Sequence, residues 1–257
     1  MQTVIMCGGT GTRLKEQTEF LPKPLIQIGG KPIVWHIMKI YAHYGFTDFV
    51  LALGYKQEEF KEYFRHFHEI NNDVEMRVGG FKSVIKLEYY NDFWNVVLSD
   101  TGLNTLKGAR LKRIEKYIKG DTFLCTYGDG LANINIPSLL EFHKKHGKIA
   151  TITGVHPTPR FGEIHHINGS VQEFAEKPHG GCLMNGGFMV FNRGIFDYLS
   201  EDENCDLETD CFKALTRDKE LTAYQHLGFW KCCDNLYDMG VLQNMWGSGN
   251  VPWRIWE

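Results

Sequence analysis

The sequence of 257 residues predicts an α/β fold: a Rossmann-like, mostly parallel sheet flanked by helices, with a small β-hairpin region and a C-terminal helical extension. Two observations predict it. Short apolar runs alternate with helix-like segments over residues 1–156, an order that is typical of a parallel sheet covered on both faces. After residue 160, two strand-like segments meet at Asn168-Gly169, which is a strong hairpin signal.

The N-terminal elements begin with a buried strand at Val4-Ile5-Met6. Residues 32–44 carry isoleucine and tyrosine at helical spacing, and Pro32 suits the first turn of a helix. The elements that follow are a strand at 48–55, an amphipathic helix at 57–70 and strands at 84–90 and 96–99.

The later elements continue the alternation. Residues 109–118 predict a helix with a basic outer face, 122–127 a central strand, and 136–147 a helix closed by glycine. The remaining elements are a strand at 149–156, the hairpin at 163–177, a strand at 186–191 and a helical, aromatic tail. Because large rings are unusual on a bare surface, we expect the tail to pack on the core or on another subunit.

Composition excludes several classes of protein. A net charge of −3 gives no indication of nucleic-acid binding, which usually needs a basic patch. The seven cysteines are odd in number and lack C-x-x-C spacing, which argues against a disulfide framework and a zinc site. With no signal peptide and no apolar run of about 20 residues, we expect a cytoplasmic protein without a membrane segment. We assign chemistry to no histidine; His143 and His146 lie on a helix face expected to be exposed.

The opening loop indicates phosphate binding. Gly8, Gly9 and Gly11 follow the first strand and let the backbone turn tightly and approach a ligand. Arg13 and Lys23 supply positive charge nearby, and backbone N–H groups with fixed cations are what a polyphosphate requires.

Two common phosphate loops are excluded. A Walker A loop would need Gly-Lys followed by Ser or Thr, but Gly30-Lys31 is followed by Pro32. A redox dinucleotide loop would need a third glycine where Leu14 stands. A redox dinucleotide enzyme is therefore disfavoured, and the glycines by themselves would also suit a plain turn after the first strand.

Several further motifs, in order along the chain, resemble the sugar-1-phosphate nucleotidyltransferases and in particular the members that use CTP. They are G-G-x-G-T-R-L, P-K-P-L, TYGDG at 126–130, FAEKP at 174–178, NGGFMVF at 185–191 and GFWKCCDN at 228–235. The resemblance implies CTP and a sugar 1-phosphate as substrates, Mg²⁺ as cofactor, and a homo-oligomer, plausibly a hexamer. It also implies one domain over 1–257, with a nucleotide-binding half at 1–130 and an acceptor-binding half with an oligomerisation tail at 131–257.

The resemblance also implies roles for individual residues. The nucleotide would be bound by Gly8, Gly9, Thr10, Gly11, Thr12, Arg13, Lys23, Thr105 and Arg110. The acceptor would be bound by Glu176, Lys177, Asn185 and Gly186. Arg13 and Lys23 would be catalytic by neutralising phosphate charge, and Asp129 and Asp234 would hold Mg²⁺.

The residues themselves leave alternatives open for the two aspartates. Asp129 follows an apolar strand directly, at the end where α/β sheets bind ligands, but it also fits an ordinary Asp-Gly turn. Asp234 could equally cap the helix that begins there.

Some positions depart from the family pattern, mainly in the acceptor half. They are Ala109, Glu163, Leu207, Asn235 and Tyr237. These changes leave open a cytidylyltransferase that acts on a different phosphorylated acceptor. A non-catalytic nucleotide-sugar sensor would also keep the glycine loop, but it would not need both Asp129 and Asp234.

Overall fold

The computed structural model describes residues 1–11, 21–76, 85–87, 93–156, 163–175 and 182–256. Its strands are β1 (Gln2–Met6), β2 (Gln27–Ile28), β3 (Lys31–Pro32), β4 (Asp48–Leu53), β5 (Val74–Met76), β6 (Ile85–Leu87), β7 (Asn95–Asp100), β8 (Thr122–Tyr127), β9 (Gly130–Ala132), β10 (Ala150–Val155), β11 (Glu163–Ile167), β12 (Ser170–Ala175), β13 (Met184–Asn185), β14 (Met189–Asn192), β15 (Leu221–His226) and β16 (Trp230–Cys232). Its α-helices are α1 (Ile33–His43), α2 (Gln57–Arg65), α3 (Phe67–Asn71), α4 (Lys107–Arg113), α5 (Ile136–His146), α6 (Lys213–Arg217) and α7 (Leu236–Gly247). Short 3₁₀ segments occur at Lys23–Leu25, Glu115–Tyr117 and Arg193–Tyr198, and a π-helical segment occurs at Leu207–Phe212.

The central sheet has the strand order β13-β10-β14-β8-β1-β4-β7, and β15 also pairs with β10. β1 lies between β4 and β8 and runs parallel to both, and β7 runs parallel to β4. β15 runs parallel to β10, whereas β13 and β14 pair antiparallel with their neighbours. The predicted α/β fold with a mostly parallel sheet is confirmed.

Both faces of the sheet are covered, which explains why β1 is a continuous apolar run. Successive side chains of a strand point to opposite faces. Ile5 belongs to the core that includes α1 and the C-terminal tail, whereas Val4 and Met6 belong to the core that includes α4.

The C-terminal aromatic rings pack on the core of their own chain. Trp253 is fully buried, and the rings of Trp246 and Trp256 lie edge-on to His36 and Trp35 of α1, at centroid distances of 5.1 and 5.7 Å. The tail was predicted to pack either on the core or on another subunit, and these rings pack on the core.

The predicted hairpin is confirmed, because β11 and β12 are joined by Asn168 and Gly169 with φ values of 49° and 84°. Positive φ at both positions is typical of a type I′ turn. The helix predicted over 57–70 is instead two helices, divided at His66.

Two polar side chains of the helices are buried, and for His143 exposure was predicted. The helix expected over 109–118 ends at Arg113, and Arg110 of this helix is only 4% exposed. His143 is 2% exposed, and its Nδ1 lies 2.8 Å from the Thr151 hydroxyl of β10. Polar groups of the neighbouring elements thus replace water around the Arg110 guanidinium and at Nδ1 of His143.

All seven cysteines are free thiols, in agreement with the prediction of no disulfide framework. Among the described helices, none combines the length and apolar character that crossing a membrane requires.

We predict that His36 makes the fold sensitive to acid. His36 of α1 is fully buried beneath the tail, and its Nε2 donates to the carbonyl oxygen of Ile28 at 2.9 Å. Burial lowers its pKa from 6.5 to about 4. Because the unfolded chain then binds a proton more readily, the free energy of unfolding should fall by on the order of 3 kcal/mol between pH 6.5 and pH 4.

Urea unfolding at several pH values and one protein concentration checks this prediction. The variant His36→Gln has no titrating group at this position, so its stability should depend less on pH than that of the wild type. Parallel loss of stability in both proteins would show that His36 is not responsible.

Candidate active site

The candidate site lies at the carboxyl edge of the parallel strands β1, β4, β7 and β8. Backbone hydrogen bonds join the segments that leave these strands. Cys7 N donates to Ala52 O at 2.9 Å, Gly128 N to Met6 O at 3.1 Å and Thr101 N to Leu53 O at 2.9 Å. The start of the glycine loop and Asp129 are thus brought to the same edge, where α/β sheets bind ligands.

Lys23 joins the two predicted metal ligands. Its Nζ donates to Asp129 Oδ2 at 2.7 Å and also to Asp234 Oδ1. The side chain of Lys23 is 13% exposed, that of Asp129 29% and that of Asp234 23%. The cluster is therefore shielded but open to a ligand. Two carboxylates that are far apart in sequence therefore converge on one cation.

The local folding of the chain explains this convergence. β9 and β16 form an antiparallel pair in which Gly130 lies opposite Cys232, and Cys233 N donates to Asp129 O at 2.9 Å. Asp129 precedes β9 and Asp234 follows β16, so the two aspartates lie at the same end of this antiparallel pair. On the other side, Pro24 lies against Gly128, where a Cβ would be only 2.7 Å from the proline Cγ. The absence of a Cβ lets the P-K-P segment place Lys23 beside the carboxylates.

The electrostatics keep Lys23 charged. Burial alone opposes its charge, but the negative charges of Asp129 and Asp234 and their hydrogen bonds outweigh burial and raise the pKa of Lys23 above its ordinary value. A group that is already protonated and held in place is suited to neutralising an anion in a reaction.

Asp238 supports the segment that carries Asp234, and the sequence analysis missed it. Asp238 is 2% exposed; its Oδ2 accepts from Asp234 N at 3.2 Å and its Oδ1 from Lys231 Nζ at 3.0 Å. Asn235, a departure from the family pattern, caps α7 by accepting from Asp238 N at 3.0 Å. The N-cap spacing of Asn235 and Asp238 is the signal that could have indicated this support. Tyr237, another departure, is 68% exposed.

On the nucleotide side, Arg110 lies beneath the glycine loop. A Cβ at Gly8 would overlap its guanidinium group, which donates to Leu53 O at 3.0 Å, Gly102 O at 2.6 Å and Leu103 O at 3.1 Å. Arg110 thus holds the backbone of the loops around it. Its predicted contact with the nucleotide stays a prediction.

The other predicted nucleotide-binding residues differ in their exposure and contacts. Gly9 and Thr10 are exposed, and Gly11 has a φ of 63° that favours glycine. Thr105 is 4% exposed, and its Oγ1 accepts from Arg113 Nη1 at 3.0 Å. Thr12 and Arg13 lie outside the described residues.

On the acceptor side, Asn185 and Gly186 approach β8 and β16. Asn185 Nδ2 donates to the Tyr127 hydroxyl at 2.8 Å, and Trp230 Nε1 donates to Gly186 O at 2.8 Å. Glu176 and Lys177 lie outside the described residues, as does the side chain of Glu163. Leu207, a departure expected to face the acceptor, is fully buried in the core.

The described residues contain no cluster of three histidine, cysteine or carboxylate side chains suited to a metal ion. Asp129 and Asp234 nevertheless fit a hard divalent cation, because both aim an oxygen at the point that the Lys23 ammonium occupies. Mg²⁺ is commonly held by one or two carboxylates, with water and substrate phosphates completing its coordination.

Comparisons with known proteins identify the relatives of this chain. The model of the nucleotidyl transferase family matches residues 2–247. The chain is 42% identical to the glucose-1-phosphate cytidylyltransferase of Salmonella typhimurium over 259 aligned residues and 41% identical to the probable glucose-1-phosphate cytidylyltransferase of Bacillus subtilis over 256, with full coverage of both chains in each case. Among solved structures, HddC from Yersinia pseudotuberculosis has the same fold, with a TM-score of 0.66 and 21% identity over 95% of this chain and 99% of its own.

Proposed function

The chain belongs to the nucleotidyl transferase family, and on that premise we propose that it transfers the cytidylyl group of CTP to glucose 1-phosphate, forming CDP-glucose and pyrophosphate. The observation that carries the proposal is the convergence of Lys23, Asp129 and Asp234 at the carboxyl edge of the sheet. The full-length likeness to glucose-1-phosphate cytidylyltransferases supports CTP as the donor and glucose 1-phosphate as the acceptor.

The reaction requires positioning and charge neutralisation. A phosphate oxygen of glucose 1-phosphate attacks the α-phosphorus of CTP, a new P–O bond forms, and the bond to the bridging oxygen breaks so that pyrophosphate leaves. The attacking phosphate has its second pKa near 6 and is mostly a dianion at neutral pH, so no general base is needed. The role of the protein is to bring two anions together.

The proposed roles follow from the charges available. Asp129 and Asp234 hold Mg²⁺, which supplies positive charge to the reacting phosphates when bound. Lys23 releases the carboxylates and turns its ammonium to the α-phosphate. Arg13 neutralises the outgoing β- and γ-phosphates, and Lys177 holds the phosphate of the acceptor.

Glucose 1-phosphate is favoured over another phosphorylated acceptor. Both relatives named above carry glucose 1-phosphate in their names and align over the full chain. Two departures from the family pattern are also weaker arguments for another acceptor, because Leu207 lies in the core and Asn235 caps a helix.

The assembly is proposed to be a homo-oligomer in the cytoplasm. Four apolar side chains of the β11–β12 hairpin are more than half exposed, which is unusual for a monomer: Ile164, Ile167, Val171 and Phe174. The seven free thiols suit a reducing compartment.

Pyrophosphate release tests the proposal. The purified protein is given Mg²⁺, glucose 1-phosphate and, in separate reactions, CTP, UTP, dTTP, ATP or GTP. We expect release with CTP alone, and none when glucose 1-phosphate is omitted. Preference for another nucleotide, or for mannose 1-phosphate or galactose 1-phosphate over glucose 1-phosphate in a parallel panel, would contradict it.

A further inference from the structure

A chain of hydrogen bonds runs behind the predicted acceptor segment. Asn185 Nδ2 donates to the Tyr127 hydroxyl at 2.8 Å, and that hydroxyl donates to Glu208 Oε1 at 2.7 Å. Lys107 pairs with the same carboxylate oxygen, and its Nζ lies 5.1 Å from the centre of the Tyr127 ring. Tyr127 is the last residue of β8 and stands two positions before Asp129.

The backbone of Glu208 is fixed by a capped segment. It lies in the π-helical segment Leu207–Phe212, whose first residues are capped by Asp206: Oδ1 of Asp206 accepts from Glu208 N at 3.1 Å and from Thr209 N at 2.9 Å. The neighbouring Leu207 is fully buried, and it anchors this segment in the core. The carboxylate therefore presents a fixed acceptor to the phenol.

This arrangement determines which group donates and which group accepts in each of these hydrogen bonds. A carboxylate only accepts hydrogen bonds, so the single hydrogen of the Tyr127 hydroxyl is directed to Glu208. A tyrosine hydroxyl ordinarily has a pKa of about 10, so the phenol keeps this hydrogen at neutral pH. The phenol oxygen can then only accept from Asn185, and the group of Asn185 that faces it must be the NH₂.

The other end of the amide agrees with this orientation. Asn185 Oδ1 accepts from Gly187 N at 3.1 Å. One hydrogen on Nδ2 and one lone pair on Oδ1 are left, which form a fixed donor and acceptor pair. Such a pair can recognise a sugar hydroxyl, which both donates and accepts.

We infer that Glu208 is a positioning residue for the sugar of the acceptor, acting through the Tyr127 hydroxyl to fix the amide of Asn185. This inference rests on the proposed function for the identity of the acceptor. It assigns Glu208 and Tyr127 to the recognition of the sugar and to no step of phosphate chemistry.

The variants Glu208→Gln and Tyr127→Phe test the inference. A glutamine can donate to the phenol, which frees the phenol hydrogen and leaves the orientation of Asn185 undetermined. We expect the KM for glucose 1-phosphate to rise about tenfold in each variant, the loss of one hydrogen bond. The KM for CTP should stay within about twofold of the wild-type value. Since Glu208 acts through Tyr127, the double variant should be no worse than Tyr127→Phe alone.

A matched control pair lies outside the site. The Tyr198 hydroxyl donates to Asp218 Oδ2 at 3.0 Å on the surface. Tyr198→Phe and Asp218→Asn remove the same kind of bond and should leave both KM values unchanged.

The outcomes separate the inference from the proposed function. Unchanged KM values, an equal rise of both KM values, or additive effects in the double variant would overturn the inference while the wild type remains a cytidylyltransferase. A wild type without turnover would overturn the proposed function instead. Calorimetric titration with glucose 1-phosphate alone then decides the inference: weaker binding by Glu208→Gln supports it, and equal or absent binding by both proteins overturns it.

Discussion

Replacing Lys23 by methionine is expected to lower kcat about 100- to 1000-fold, the loss typical for removal of one group that stabilises transition-state charge. Methionine keeps an unbranched apolar stem of similar length but lacks the ammonium group and its charge. In the structure, the ammonium group is the cation on which Asp129 and Asp234 converge. Steady-state pyrophosphate release with CTP and glucose 1-phosphate measures the effect.

The same variant should bind a divalent cation more tightly in the absence of nucleotide. Lys23 competes with such a cation for the oxygens of Asp129 and Asp234, and methionine does not. Titration of nucleotide-free protein with Mn²⁺, followed by calorimetry, gives this second result independently of turnover. Weaker cation binding by Lys23→Met would show that Lys23 does not compete for these oxygens.

Lys112→Met is the matched control. Lys112 is also partly buried, at 26% side-chain exposure, and is paired with Glu115 at 2.8 Å, but it lies outside the site. It should change neither kcat nor cation binding. Near-normal turnover of Lys23→Met would contradict the proposed role of Lys23.

The sequence predicts the secondary structure around the site better than the contacts between its residues. Asp129 could be placed because it directly follows an apolar strand, and the end of a parallel strand is a known ligand position. The alternation of strands and helices likewise predicts the parallel part of the sheet. Neither pattern states which strands are neighbours, so the antiparallel position of β14 between β8 and β10 could not be foreseen.

Contacts between distant segments are the part that local patterns leave out. Lys23 and Asp234 are 211 residues apart in sequence, and they meet because β9 pairs with β16 and Pro24 packs on Gly128. The burial of Arg110 could not be foreseen in this way, because a charged residue usually faces water. Its guanidinium is satisfied by backbone carbonyls of Leu53, Gly102 and Leu103, which no periodicity in the sequence reveals.

Removing either carboxylate should have the largest effect of all. Asp129→Asn and Asp234→Asn are each expected to lower kcat/KM at least about 1000-fold, because each would remove a proposed ligand of a divalent cation, a group that supplies several kcal/mol of charge stabilisation. Each should also abolish binding of Mn²⁺ by nucleotide-free protein. The control Asp48→Asn alters an exposed carboxylate that accepts from Asn95 at 2.8 Å, and it should change neither property.

The thermal stability of Asp129→Asn and Asp234→Asn shows whether the two aspartates serve the activity or the stability of the fold. Two carboxylates approach the same ammonium group at this point, and the repulsion between their like charges disfavours the folded state. Replacing one aspartate by asparagine leaves Lys23 with one partner and relieves the repulsion between like charges. We therefore expect a melting temperature equal to or above that of the wild type, together with the loss of activity. A marked fall in melting temperature would instead mean that the pair is retained for the stability of the fold.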